Sequence, residues 1–300
     1  MVPLAIVTGS AGLIGQYVVR TAQRWAPDWE VRGLTRAALD LTNFSDVDAA
    51  VRSLKPEAII HCAALSRMED CEQHPDRARR VNVAATAHLA TLAKDVLFFF
   101  LSSGEVFDGT RGWHEEEDAA RPITVYGQTK LEAEHFVLQN PRHTVVRIVL
   151  TAGISQGGDR GFVQEMCRLA RSGGRVTLFE DEFRCPLPAG VIARALWELL
   201  HHERPGLYHL GGRERLSRWE IGEALARWYP ELVDRIQRGS AAGYIGSPRP
   251  IDLSLRCSRI QNLLSFQIPG FRSWLTSRAD EGTDLWDYPD ETSRGEKRET

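Results

Sequence analysis

Leu4-Ala5-Ile6-Val7-Thr8-Gly9-Ser10-Ala11-Gly12-Leu13-Ile14-Gly15 is the stretch that decides the fold of this 300-residue chain. Leu4 to Thr8 is a short apolar, β-branched run, which predicts a buried strand and, with no basic residues before it, no signal peptide. Leu13 to Trp25 repeats apolar residues at helical spacing, which predicts a helix. Between them Gly9, Gly12 and Gly15 stand as Gly-x-x-Gly-x-x-Gly. A pyrophosphate needs bare backbone N–H groups at a helix N-terminus, with no Cβ to hold it away. Gly9, Ser10, Ala11, Gly12, Leu13, Ile14 and Gly15 are therefore candidate cofactor-binding residues for a dinucleotide.

Outward from this unit the pattern recurs. Strands are expected at Val31–Leu34, Ala58–Cys62, Val96–Leu101 and His143–Leu150, with helices at Phe44–Leu54, His74–Lys94 and Val125–Gln139. Strands spaced by helices of this size build βαβ units and a parallel sheet covered on both faces. The expected fold is α/β: a Rossmann-type, doubly wound parallel sheet over residues 1–150, with a smaller C-terminal substrate lobe over 151–275. In the lobe, glycine turns separate helices near 161–171, 188–202 and 217–228, and the 188–210 helix–strand pair can return to the main sheet. Residues 276–300 are mostly Asp, Glu, Arg, Ser, Thr and Gly, and are expected to be a disordered tail, with Leu285-Trp286 as the pair able to dock.

Composition removes several functions. With 43% hydrophobic and 26% charged residues the chain can bury a core and remain soluble, and a net charge of −3 offers no basic field for nucleic acid or an anionic membrane. The longest apolar run, Val96 to Leu101, is strand-sized, far short of the roughly twenty residues of a bilayer span. Five scattered cysteines, none in Cys-x-x-Cys, favour reduced thiols and a cytoplasmic location. The nine histidines show no ligand spacing, so no metal is expected.

The end of the second strand selects the dinucleotide. An NAD site places an acid there for the ribose 2′-hydroxyl. Here the segment is Gly33-Leu34-Thr35-Arg36-Ala37. Arg36 can pair bidentately with a 2′-phosphate, or it is a solvated surface charge. NADP(H) is the expected cofactor and NAD(H) the alternative, with Asp40 and Leu41 placed to meet the adenine.

Tyr126-Gly127-Gln128-Thr129-Lys130 puts a phenol and an ammonium on one helix face, following a strand that ends in Ser102-Ser103. A free phenol has a pKa of about 10, and a nearby ammonium brings it toward its working range. A serine hydroxyl can hold the substrate oxygen while hydride moves. Ser103, Tyr126 and Lys130 are the candidate catalytic residues.

Together these residues resemble the extended short-chain dehydrogenase/reductase family, and most closely its dTDP-4-dehydrorhamnose reductase branch. The resemblance spans about residues 3 to 275. It is carried by Val7–Gly15, Ile60-His61-Cys62-Ala63-Ala64, Val81-Asn82-Val83, Leu101–Gly109, Glu117-Asp118, Tyr126–Lys130 and Gly206–Leu210. It implies an NAD(P)H-dependent reductase of a keto-sugar or nucleotide-linked keto-sugar, in which Ser103 is the catalytic hydroxyl, Tyr126 the acid/base and Lys130 its partner. Cys62, Ala63 and Ala64 would line the cofactor. Asn82 would support the proton relay, or simply bond neighbouring backbone. Glu105 and Arg184 are candidate substrate contacts, with a solvated loop charge and a surface charge as the plainer readings.

Two departures bear on the substrate. Leu150 stands where related reductases carry a base-stacking aromatic. Gly104 replaces the acid of the Asp-Glu pair that dehydratases of the family use, which disfavours elimination. The resemblance also admits an epimerase, or a non-catalytic NADP-binding regulatory subunit like that of methionine adenosyltransferase. The expected partner is a small sugar-like molecule, and a homodimer is compatible with the family.

Overall fold

A computed structural model describes residues 2–157, 161–278 and 285–288. The amino-terminal half runs β1 (Leu4–Thr8), α1 (Leu13–Trp25), β2 (Glu30–Leu34), α2 (Phe44–Leu54), β3 (Ala58–His61), α3 (Met68–Gln73), α4 (Pro75–Arg79), α5 (Ala85–Leu92), β4 (Leu97–Ser103), α6 (Val125–Val137) and β5 (Thr144–Ile148). The remainder adds β6 (Thr151–Ala152), α7 (Phe162–Arg171), β7 (Val176–Phe179), β8 (Phe183–Arg184), β9 (Leu187–Pro188) and α8 (Ala189–His202). It then continues through β10 (Gly206–Leu210), β11 (Leu216–Ser217), α9 (Arg218–Ala226), β12 (Ile236–Gly239), α10 (Ser258–Gln261) and α11 (Phe271–Ser277).

Six strands form one parallel sheet in the order β10-β5-β4-β3-β1-β2. Alternating side chains explain why it is covered on both faces. Ala5, Val7, Ile60, Phe99 and Leu101 pack toward α1 and α8, whereas Ile6, Ile59, Phe98 and Phe100 pack toward α2, α5 and α6. Chain order reverses between β1 and β3, so the crevice at the carboxyl ends of those two strands is where such a sheet binds ligands. Gly9 and Cys62 stand at that crevice. Among the described residues no helix is long and apolar enough to cross a membrane.

Three details differ from the expectation. The helix expected at His74–Lys94 starts earlier, as α3, is interrupted before Pro75, and passes through a π-helical turn at Arg80–Ala84 before α5. Proline disfavours helical geometry in the residue before it, and His74 accordingly has φ −134°. The strand expected at His143–Leu150 ends at Ile148, and Thr151–Ala152 pairs instead with Leu187–Pro188.

The third difference is the tail. α11 runs to Ser277, and Leu285–Tyr288 are docked, with Trp286 fully buried. The Trp286 indole N–H donates to the Tyr229 hydroxyl at 3.1 Å, and the Gly190 amide donates to the Trp286 carbonyl at 2.9 Å. Gly190 is what lets the segment lie on α8, because a Cβ there would come within 2.6 Å of that carbonyl. The anchor is the Leu285-Trp286 pair that stands out in the polar tail sequence. Residues 279–284 and 289–300 lie outside the described residues.

Candidate functional site

At the crevice the backbone forms a cradle. Gly9 has φ +68°, a conformation that disfavours any side chain, and a Cβ there would lie 2.7 Å from the Ala63 backbone. The tight turn closes with the Gly12 amide donating to the Gly9 carbonyl at 2.8 Å. Helix α1 begins at Gly12 with no side-chain cap and no acid in its first turn, so its amino-terminal N–H groups and positive dipole end face the cradle without a competing anion. These are the features a dinucleotide pyrophosphate fits.

At the end of β2, Arg36 is exposed, with its guanidinium 3.6 Å from the Asp40 carboxylate. Asp40 accepts from the Thr42 amide at 2.9 Å and from the Thr42 hydroxyl at 2.7 Å, which hold its pKa low.

The catalytic candidates converge from two elements. Ser103 ends β4, where its hydroxyl accepts from the Glu105 amide at 3.2 Å. Thr124 caps α6 by accepting from the Gly127 amide at 3.0 Å, which starts the helix beside Ser103. Gly127 is required there: a Cβ would meet the Glu105 carbonyl at 2.1 Å. Burial raises the Tyr126 pKa, the Glu105 carboxylate adds to the rise, and a hydrogen bond with Ser103 works against it. Lys130 is buried, its Nζ 4.0 Å from the Phe100 ring centroid, and burial brings its pKa down to about 7 against the opposing pull of Glu134. Ser103, Tyr126 and Lys130 are thus brought together.

Asn82 sits in the π-helical turn, a distortion often found at functional sites. Its side chain accepts from the Leu65 amide at 2.8 Å and donates to the Leu65 carbonyl at 3.0 Å and the Thr129 hydroxyl at 3.0 Å. Thr129 in turn donates to the Tyr126 carbonyl at 2.8 Å. Asn82 thus bonds the backbone of Leu65 and the side chain of Thr129, and ties the segment after Ala64 to the helix of Tyr126. Cys62, whose thiol burial pushes up to about 12, is a neutral wall of the crevice with Ala63 and Ala64.

Glu105 and Arg184 are buried, which overturns both surface readings. Arg184 approaches the Glu105 carboxylate at 3.8 Å and Glu182 at 3.1 Å, and donates to the carbonyls of Phe183, Pro250 and Ile251. Glu182 also receives Arg249 at 2.8 Å and stands 4.0 Å from Arg218. Three guanidinia therefore face two carboxylates. Burial and the like charges of Arg184 and Arg249 bring the Arg218 pKa down to about 10 despite Glu182. Glu182, Arg218 and Arg249 line a cavity of about 610 Å³ with Phe162, Phe179 and Tyr244. Arg218 and Arg249 were not singled out from sequence. The local signal for Arg218 is Ser217-Arg218-Trp219-Glu220, a capping box that starts α9 and places Arg218 at its first position. Among the described residues no group of three or more His, Cys, Asp or Glu is disposed to hold a metal ion.

The family model of the RmlD substrate binding domain matches residues 4–283. The chain belongs to that family. Methionine adenosyltransferase 2 subunit beta of Bos taurus is 29% identical to this RmlD-family chain over 283 residues, covering 89% of the chain and 84% of its own length. dTDP-4-dehydrorhamnose reductase of Sinorhizobium fredii is 30% identical over 280 residues, covering 88% and 93%. The crystal structure of dTDP-4-dehydrorhamnose reductase from Bacillus anthracis in complex with NADP superposes with a TM-score of 0.83 at 23% identity, covering 91% of this chain and 97% of that one. The RmlD-family fold described above is that of dTDP-4-dehydrorhamnose reductases.

Proposed function

We propose that this chain reduces the carbonyl of a nucleotide-linked keto-sugar with NADP(H). The observation that carries this reading is the convergence of Ser103, Tyr126 and Lys130 at the carboxyl edge of the sheet, beside a glycine cradle. The Gly9–Gly15 loop would hold the pyrophosphate, Arg36 the 2′-phosphate, Asp40 and Leu41 the adenine side, and Cys62, Ala63 and Ala64 the inner wall. A bound reduced nicotinamide supplies hydride to the carbonyl carbon. Ser103 donates to the carbonyl oxygen and orients it. Tyr126, kept protonated by its raised pKa, passes its proton to that oxygen as negative charge develops. Lys130, close to half-charged at neutral pH, then stabilises the phenolate left behind. The guanidinium-rich cavity of the lobe supports a substrate bearing phosphate, since a diphosphate would supply the negative charge that Arg218 lacks, and Phe162, Phe179 and Tyr244 offer apolar and aromatic surface for a base.

Tyr126→Phe tests the reading. It keeps the ring and deletes the proton donor, so single-turnover NADPH oxidation on a panel of nucleotide-linked 4-keto-sugars should fall about 10²–10⁴-fold. NADPH affinity, read by fluorescence, should stay near wild type. A variant that matches the wild-type rate would overturn it.

A second reading is favoured by one observation: relatives named methionine adenosyltransferase 2 subunit beta match 84% of their own length. In that case the site binds NADP(H) without turning it over and the chain regulates a partner enzyme. Tight NADPH binding with no oxidation across the panel would support it.

A further inference from the structure

We propose that Glu134 is a positioning residue of the catalytic helix: its buried carboxylate, clamped by Arg147 and Ser102, registers α6 against the sheet and supplies negative charge that favours the ammonium form of Lys130. This rests on the reading that Lys130 serves Tyr126, and adds a residue that the catalytic triad does not include.

The geometry is a closed knot of three elements. Tyr126, Lys130 and Glu134 recur at intervals of four along α6, so they share a face. Glu134 lies fully inside the protein, where a lone carboxylate would be costly. Its Oε1 and Oε2 accept from the Arg147 guanidinium at 3.0 and 2.7 Å, and Oε1 accepts from the Ser102 hydroxyl at 2.5 Å. Ser102 and Arg147 are paired neighbours on β4 and β5. One carboxylate thus ties the helix of Tyr126 to both strands at the sheet end where Ser103 stands. His209 extends the knot, with its Nε2 3.4 Å from Arg147.

Among the charged groups around Lys130, Glu134 is the carboxylate that favours its ammonium form. His61, beneath the cradle, is neutral: burial holds its pKa down to about 3, and it bridges the hydroxyls of Thr8 at 2.6 Å and Thr86 at 3.0 Å. Cys62 is a neutral thiol. Phe100 offers its ring face. Arg147, bound to Glu134, is of like sign to Lys130, so removing the Glu134 charge alone would leave two buried cations without that carboxylate.

The test reads Lys130 directly and needs no substrate. The chain has only four lysines, Lys55, Lys94, Lys130 and Lys297, so carbon-labelled lysine side chains give four NMR signals to titrate. In the wild type one signal should titrate near 7, and it should be the one that Lys130→Met removes. Glu134→Gln keeps the shape and the Ser102 hydrogen bond while removing the charge, and should move that midpoint down by about one unit or more. Arg147→Met should move it upward. A residue that only holds the fold would leave the midpoint in place while lowering stability, and that result overturns the proposal. If Glu134→Gln does not fold, the Glu134→Gln/Arg147→Met protein removes the pair together, which is often tolerated. The midpoint should again fall, because Glu134 is the carboxylate whose charge holds the Lys130 pKa up against burial. Failure of that protein to fold would also overturn the proposal, since the pair would then serve stability. An NADPH-oxidation failure with the expected midpoint shifts would instead count against the reductase reading alone.

Discussion

The two halves of the candidate site are built by different physics. At the carboxyl ends of β1 and β3 the cradle is made of main chain: a glycine turn, an uncapped helix start, and neutral walls at Cys62, Ala63 and Ala64. In the lobe the cavity is walled by ionised side chains, with Arg218 and Arg249 gathered around Glu182. A backbone cradle depends on the absence of side chains and fails abruptly when one is added. A cluster of guanidinia fails gradually, because its charges back one another up.

The largest effect that would break this contrast is expected at Gly9. Gly9→Ala forces a Cβ into a positive-φ turn and to within 2.7 Å of the Ala63 backbone. Conformational strain of about 1–2 kcal/mol and overpacking of about 1–3 kcal/mol predict roughly a 30- to several-thousandfold loss of NADPH affinity. Calorimetric titration measures it, and near-native affinity would mean that the cradle is not where the cofactor lies.

A smaller, graded effect is expected at Arg218. Arg218→Met should weaken a nucleoside-diphosphate ligand by about tenfold to a hundredfold, the range of one charge-assisted hydrogen bond. NADPH affinity should hold. Loss of both together would show that the two regions are coupled.

The smallest effect sharpens the position of Glu105, whose backbone packs on the start of α6 while its carboxyl approaches Arg184. Burial raises its pKa in the folded protein, more than Arg184 lowers it, and its Oε2 is buried with no hydrogen-bond partner. A carboxyl with a raised folded pKa costs nothing below its unfolded pKa, and costs stability as pH rises above that value. Glu105→Gln should therefore melt with the wild type near pH 4 and several degrees above it near pH 8. A melting difference independent of pH would show that Glu105 has the same pKa folded and unfolded, and that burial does not raise it.

Much of the cofactor half was legible from sequence because its signals are local. Gly9, Gly12 and Gly15 lie within seven residues, and Tyr126 and Lys130 within one helical turn, so spacing alone places them on a turn and on a helix face. Where the reading slipped, the cause was also local: Pro75 and the π-helical turn interrupt what periodicity treats as one helix. The lobe is the opposite case. Glu182, Arg184, Arg218 and Arg249 span nearly seventy positions, and the strands that gather them, β8 and β11, are two residues each, too short for any periodicity to register.

What the sequence by itself determined is thus the parallel α/β sheet, the glycine cradle and the tyrosine–lysine helix face, because each is written in residues whose spacing is the geometry. What only the tertiary structure decided is which charges are buried together. Glu134 meets Ser102 and Arg147, and Glu182 gathers three arginines, although nothing in those residue types distinguishes them from the solvated majority. A charge acquires its role from the dielectric and the partners around it, and those come from segments that only the folded chain brings within a few ångströms.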